Sequence, residues 1–181
     1  PEEAQYAYMA TRSALENAKL DQDYMDRNEI GIIYGNDSVA EATMQALDKF
    51  REFKDTSACG SGAIFQSMNS TVTMNLACLF KLRGINLTAS AACASGSQAI
   101  GLAYTLIRSG MQDCIICGGA QETNLYSVAS FDGIQSFSMI TVAAPPPGTR
   151  PSRSRSNGRL ALAGLSSRIE LSLIHISEPT R

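Results

Sequence analysis

Three short apolar runs, separated by stretches of helical periodicity, constrain the fold more than any other feature. Ile30-Gly31-Ile32-Ile33-Tyr34-Gly35 ends on a glycine. Ile85 to Ala92 alternates Ile85, Leu87, Ala89 and Ala91 with Asn86, Thr88 and Ser90. Asp113-Cys114-Ile115-Ile116-Cys117-Gly118-Gly119 runs into a glycine turn. Short apolar runs bounded by turn residues read as buried strands. Helical segments are expected between them. Residues 3–19 place Ala7, Ala10, Ala14 and Ala18 on one face, and Ser38-Val39-Ala40-Glu41 has the pattern of a capping box opening a helix toward Phe53. Residues 56–64, with Gly60 and Gly62, read as a loop. Met68, Val72, Leu76 and Leu79/Phe80 form another helical stripe, which stops near Arg83-Gly84. From Ala94 to Ser109 the apolar positions cover a wide arc, predicting a largely buried helix stopped by Gly110. This alternation predicts an α/β domain with a largely parallel sheet covered by helices on both faces.

Composition excludes several classes. A chain of 181 residues is about one domain's worth, and a formal charge of -2 argues against nucleic-acid or anionic-membrane binding. No apolar run approaches the roughly 20 residues of a membrane span, and no signal peptide opens the chain, so a cytoplasmic protein is expected. The start at Pro1 rather than Met suggests that the natural N-terminus lies upstream. Five cysteines without a framework spacing read as reduced thiols. Cys114 and Cys117 match C-x-x-C, but their place in an apolar run favours buried strand residues over redox or zinc chemistry.

The chain changes character near residue 140. No proline occurs between Pro1 and Pro145, and six of the eleven arginines follow residue 140. Residues 1–140 carry a net charge of -6, the remainder +4. A disordered basic arm is one reading. The ending Leu171-Ser172-Leu173-Ile174-His175-Ile176-Ser177-Glu178-Pro179-Thr180-Arg181 resembles a translated sequencing-adapter peptide, which favours a frameshift into adapter. We therefore expect one incomplete domain over 1–139 and no domain over 140–181, the tail being set aside from fold reasoning. His175, the only histidine, lies in it.

The chemistry centres on Cys93, expected at the end of a strand and just before the first turn of a helix. The first N–H groups of a helix have no intrahelical partners and carry partial positive charge, which favours a thiolate. Ala91, Ala92, Ala94, Ser95 and Gly96 permit a tight turn and close approach of a bulky thioester. The sulfur could attack a carbonyl while backbone N–H groups stabilise the oxyanion. On pattern alone, a structural cysteine is favoured over a catalytic one.

Leu82-Arg83-Gly84-Ile85-Asn86-Leu87-Thr88-Ala89-Ser90-Ala91-Ala92-Cys93-Ala94-Ser95-Gly96-Ser97-Gln98-Ala99-Ile100-Gly101 closely resembles the nucleophile segment of β-ketoacyl-ACP synthases. Asp113 to Glu122 is similar to the strand and glycine turn after that helix, Phe131-Asp132-Gly133 to the following segment, and Ile32 to Asp37 to an earlier strand and loop. The resemblance covers about residues 2–139. It implies the N-terminal half of a thiolase-like fold, in an elongating synthase of fatty-acid type with no cofactor and no metal. Cys93 would take an acyl chain from acyl-ACP, and its backbone N–H would serve the oxyanion hole. Malonyl-ACP would then decarboxylate and attack the acyl thioester. Two histidines and a lysine of the family's second half would assist. No histidine precedes His175, which lies in no matching motif, and Arg150-Pro151-Ser152-Arg153 with Asn157-Gly158 is a degraded echo of an expected Arg-Pro-Phe-Asp segment. The resemblance places Met68 near the boundary of the acyl tunnel, although an ordinary core methionine fits as well. Asn69 and Phe131 have weaker claims. The strand at 85–92 would pair across a two-fold axis in a homodimer.

Two rivals stand beside this reading. One stays in the fold: another thiolase-like condensing enzyme, or an inactive chain-length partner subunit, against which Cys93 itself argues. The other is a non-catalytic binding module with a buried cysteine and a basic tail that contacts RNA or acidic partners.

Overall fold

The structure, a computed structural model, describes residues 1–134 and the backbone of residues 173–174. The chain divides into two compact units, residues 1–124 with 169–181, and residues 125–168. In the first, β1 (Ile30–Gly35) is the centre of a sheet ordered β2-β1-β3-β4. Both β2 (Asn86–Ala89) and β3 (Cys114–Gly119) run parallel to it. The short β4 (Leu173–Ile174) is antiparallel to β3 at Ile115 and Ile116, so two residues of the segment set aside join the sheet. In the second unit, α7 spans Leu125–Gly133.

Successive strand residues face opposite sides of a sheet, and two clusters of buried side chains follow from that rule. Ile30, Ile32, Tyr34, Cys114 and Ile116 pack with residues of α1 (Glu2–Ala18), α2 (Gln22–Arg27) and α5 (Thr71–Phe80). Ile33, Ile115 and Cys117 pack on the other side, with Ala99 and Ala103 of α6 (Ser95–Arg108). The sheet is thus covered on both faces, as expected. Cys114 and Cys117 lie in different clusters on opposite faces, which prevents the pair from sharing a bond or a ligand. Burial and the neighbouring Asp113 carboxylate raise the Cys114 thiol above its ordinary range.

Several expectations about the helices need correction. α1 buries Ala4, Ala7, Thr11 and Leu15, whereas Ala18 is exposed. The polar Thr11 belongs to the buried line because its hydroxyl lies 2.8 Å from the Tyr34 hydroxyl, and burial pushes Tyr34 upward in pKa. α2, capped by the Asp21 carboxylate on the Tyr24 N–H, was not anticipated. The expected loop at 56–64 contains a 3-10 turn over Thr56–Cys59 and the start of α4 (Ala63–Gln66). α5 buries Val72, Leu76 and Phe80 but leaves Leu79 exposed, and it starts after Met68, which lies in the preceding turn. α6 is not largely buried: only Ser95, Ala99 and Ala103 are, at a spacing of one residue per turn, while Leu102 is exposed. Small side chains on that single line let the helix sit close on the sheet. Gly110 adopts the left-handed conformation (φ 71°) that ends α6, as its position predicted.

The helix after β1, α3 (Ala40–Phe53), forms where expected, but Ser38 does not cap it. The Ser38 hydroxyl donates instead to Glu122 Oε1 at 2.7 Å. Glu122, nearly buried, also accepts from the N–H groups of Ala40 (2.8 Å) and Glu41 (3.2 Å). A carboxylate far along the chain thus meets the positive end of α3.

Candidate active site

β2 ends at Ala89, so three residues, Ser90 to Ala92, separate it from Cys93. Cys93 occupies a single 3-10 turn, Ala92–Ala94, immediately before α6 begins at Ser95, and it is exposed. The expected position between strand and helix N-terminus is therefore met, with an intervening turn. That turn is tight: Ala92 has φ 47°, a conformation that L-residues other than glycine seldom adopt.

Side chains hold the turn on two sides. Ser95 Oγ accepts from the Ala91 N–H at 2.8 Å and donates to the Ala92 carbonyl at 2.7 Å. The Ser90 hydroxyl donates to Asp37 Oδ1. That bond first, and a second from the Ala92 N–H, hold the Asp37 carboxyl below the usual carboxylate range. Beneath, Gly35 and Gly119 at the ends of β1 and β3 leave room for the start of α6. A Cβ on Gly119 would lie 3.1 Å from the Gly96 Cα, and one on Gly35 would collide with the Ser95 backbone.

Met68 is exposed, at 37%, and so is not the ordinary core methionine that the sequence allowed; its carbonyl accepts from the Thr71 N–H at 2.9 Å. Its link to the Cys93 turn runs through the next residue. The Asn69 carbonyl accepts from Asn36 Nδ2 at 3.0 Å, and Asn69 Nδ2 reaches Ser90 Oγ at 3.5 Å. An open apolar cavity of about 410 Å³ lies between α3 and residues 56–67; Leu47, Phe50 and Ile64 line it, and Met68 is not among its lining residues. Phe131 belongs to α7 of the other unit. His175, Arg150-Pro151-Ser152-Arg153 and Asn157-Gly158 lie outside the described residues.

The reading from sequence missed Asp37, Ser90, Glu122 and Gly35. Only Gly35 carried a usable signal, a glycine ending an apolar strand.

The chain around this site is similar to proteins of known identity. The model of the β-ketoacyl synthase N-terminal domain matches residues 2–159. The chain belongs to the β-ketoacyl synthase family. The match runs past residue 139, the expected domain boundary. A 3-oxoacyl-[acyl-carrier-protein] synthase 1 from Haemophilus influenzae is 32% identical over 89% of this chain and 40% of its own length. The enzyme of that name from Escherichia coli K12 is 27% identical over 88% of the chain and 40% of its own. The chain thus spans about two fifths of the length of these curated relatives. A β-ketoacyl synthase from Burkholderia phymatum superposes with a TM-score of 0.69, at 32% identity over 76% of this chain and 34% of that one. A type II polyketide ketosynthase, solved with its acyl-carrier protein, shares the fold at a TM-score of 0.68 and 22% identity, over 76% of this chain and 40% of that one. The α/β, thiolase-like fold expected from sequence is what these neighbours share. No helix among the described residues is long and apolar enough to cross a membrane.

Proposed function

We propose that this chain carries the acyl-accepting part of an elongating β-ketoacyl-ACP synthase of fatty-acid biosynthesis, with Cys93 as the nucleophile. The observation that carries the reading is the exposed Cys93 on a tight turn at the N-terminus of α6. Its Sγ attacks the thioester carbonyl of acyl-ACP. The new carbon–sulfur bond forms at Cys93, the bond to the carrier breaks, and the carrier leaves as a free thiol with the proton from Cys93. Helix N–H groups and the Cys93 N–H meet the charge that develops on the carbonyl oxygen. In the complete enzyme, malonyl-ACP then loses CO2, and its α-carbon attacks the acyl-Cys93 thioester. That attack yields β-ketoacyl-ACP and restores the thiol. Histidines for the second step are not supplied by residues 1–174, so this chain alone accepts acyl groups without condensing them.

The partners are acyl-ACP and malonyl-ACP, and the setting is cytoplasmic. A homodimer is favoured by β2, whose outer edge has no neighbouring strand among the described residues and whose Leu87 is 43% exposed. Met68 is assigned to the acyl pocket through the contact of Asn69 with Ser90. The incomplete domain is assigned to residues 1–139 and the tail to residues 140–181, while the family match itself runs on to residue 159.

The test uses the full-length gene with acyl-ACP or cerulenin. Cys93→Ala abolishes both labelling and condensation, and condensation that persists in that variant overturns the assignment.

A further inference from the structure

We propose that Asp37 and Ser95 are positioning residues that brace the turn presenting Cys93 from two sides, Asp37 through Ser90 and Ser95 through the backbone of Ala91 and Ala92. A left-handed alanine is strained and persists only where its surroundings hold it. Here side chains hold the two residues leading into Ala92 and the carbonyl of Ala92 itself. That carbonyl accepts from Ser95 Oγ at 2.7 Å, Ser95 Oγ accepts in turn from the Ala91 N–H at 2.8 Å, and the Ser90 hydroxyl donates to Asp37 Oδ1. Ser95 belongs to the first turn of α6 itself, whereas Asp37 stands on the connection leaving β1. The clamp therefore ties the Cys93 turn to the helix on one side and to the central strand on the other. Asp37 is itself steadied by the Ser90 hydroxyl, which Asn69 also contacts. Its carboxyl, held low in pKa first of all by the Ser90 hydroxyl, is a charged acceptor at neutral pH. Neighbouring Asn36 is buried, whereas Asp37 is not part of the core, and holding the turn accounts for its contacts.

The functional consequence rests on Cys93 being the nucleophile, but the clamp is measurable without that reading. The test uses this chain with Asp37→Ala, Asp37→Asn and Asp37→Ala/Ala92→Gly. Hydrogen exchange is read over residues 90–94, and the iodoacetamide rate at Cys93 is taken relative to Cys78 in the same molecule. Losing the acceptor in Asp37→Ala should accelerate exchange there about tenfold, the effect of one charged hydrogen bond, and lower the Cys93:Cys78 ratio about threefold. Asn keeps an acceptor oxygen, and Gly at 92 removes the strain that the clamp offsets, so both changes should recover most of each effect. Unchanged exchange and ratio in a folded Asp37→Ala, or a loss that neither Asn nor Gly restores, overturns the proposal. Should Asp37→Ala fail to fold, Ser95→Ala against Ser95→Thr reads the other arm by the same two measures. Failure of Cys93→Ala to abolish acylation would instead count against the enzymatic reading and leave these outcomes intact.

Discussion

Gly35 lies directly against the first residue of α6: a Cβ built on it would fall 2.2 Å from the Ser95 carbonyl carbon and 2.4 Å from the Gly96 nitrogen. These are backbone atoms, so no rotamer change relieves the clash. Gly35→Ala must push α6 away from the sheet and with it the Cys93 turn. We expect a loss of about 2–3 kcal/mol in urea unfolding. Gly101→Ala, with nothing within 4 Å of the added Cβ, should gain about 0.5–1 kcal/mol in the same experiment.

Glu122 closes the N-terminus of α3 from more than eighty residues away, accepting from Ser38 and from the Ala40 and Glu41 N–H groups. Glu122→Ala should cost about 2 kcal/mol and raise hydrogen exchange selectively in the first turn of α3. Equal exchange in parent and variant would show that solvent caps that helix as well.

Glu3 is nearly buried on α1, and burial raises its carboxyl above the ordinary 4.5, against a smaller lowering by its own backbone N–H and the Pro1 ammonium. A raised folded-state value means that the neutral acid is the form the fold prefers. The group's contribution is then complete below about pH 4.5 and is lost as pH rises through the folded value. Glu3→Gln should therefore unfold at a higher temperature than the parent at pH 7, and the advantage should shrink as pH falls through the folded value toward about 4.5. A constant difference across pH would contradict the assignment.

Strands β1 and β3 were legible because an uninterrupted apolar run between turn residues has few other uses, and the same runs settled the parallel sheet. The helices were legible in position but not in face. Thr11 is buried through its bond to Tyr34, and Ala10, Ala14 and Ala18 misdirected the reading of α1. The wide apolar arc of α6 predicted burial, whereas only Ser95, Ala99 and Ala103 are buried and Ile100, Leu106 and Ile107 pack there while partly exposed. Ser38 to Glu41 carried a cap pattern that a distant carboxylate fulfils, since the pattern registers local bonds alone. Cys93 was placed by its small neighbours; Asp37 was not, because its partners Ser90 and Ala92 lie more than fifty residues along the chain. Met68 shares a helical period with Val72 and Leu76, but the chain turns before α5 begins, so that period did not place it on the helix.

The central claim is that one of five cysteines takes the acyl group. Cys114 and Cys117 are buried, Cys59 is half-buried, and Cys78 and Cys93 are exposed, so exposure alone does not choose between the last two. Incubating this chain with octanoyl-ACP and mapping the adduct by tandem mass spectrometry decides the matter. The account predicts the octanoyl mass on the Cys93 peptide alone, released by hydroxylamine. An adduct on Cys78 to the same extent, or none on Cys93 in the folded chain, would contradict it.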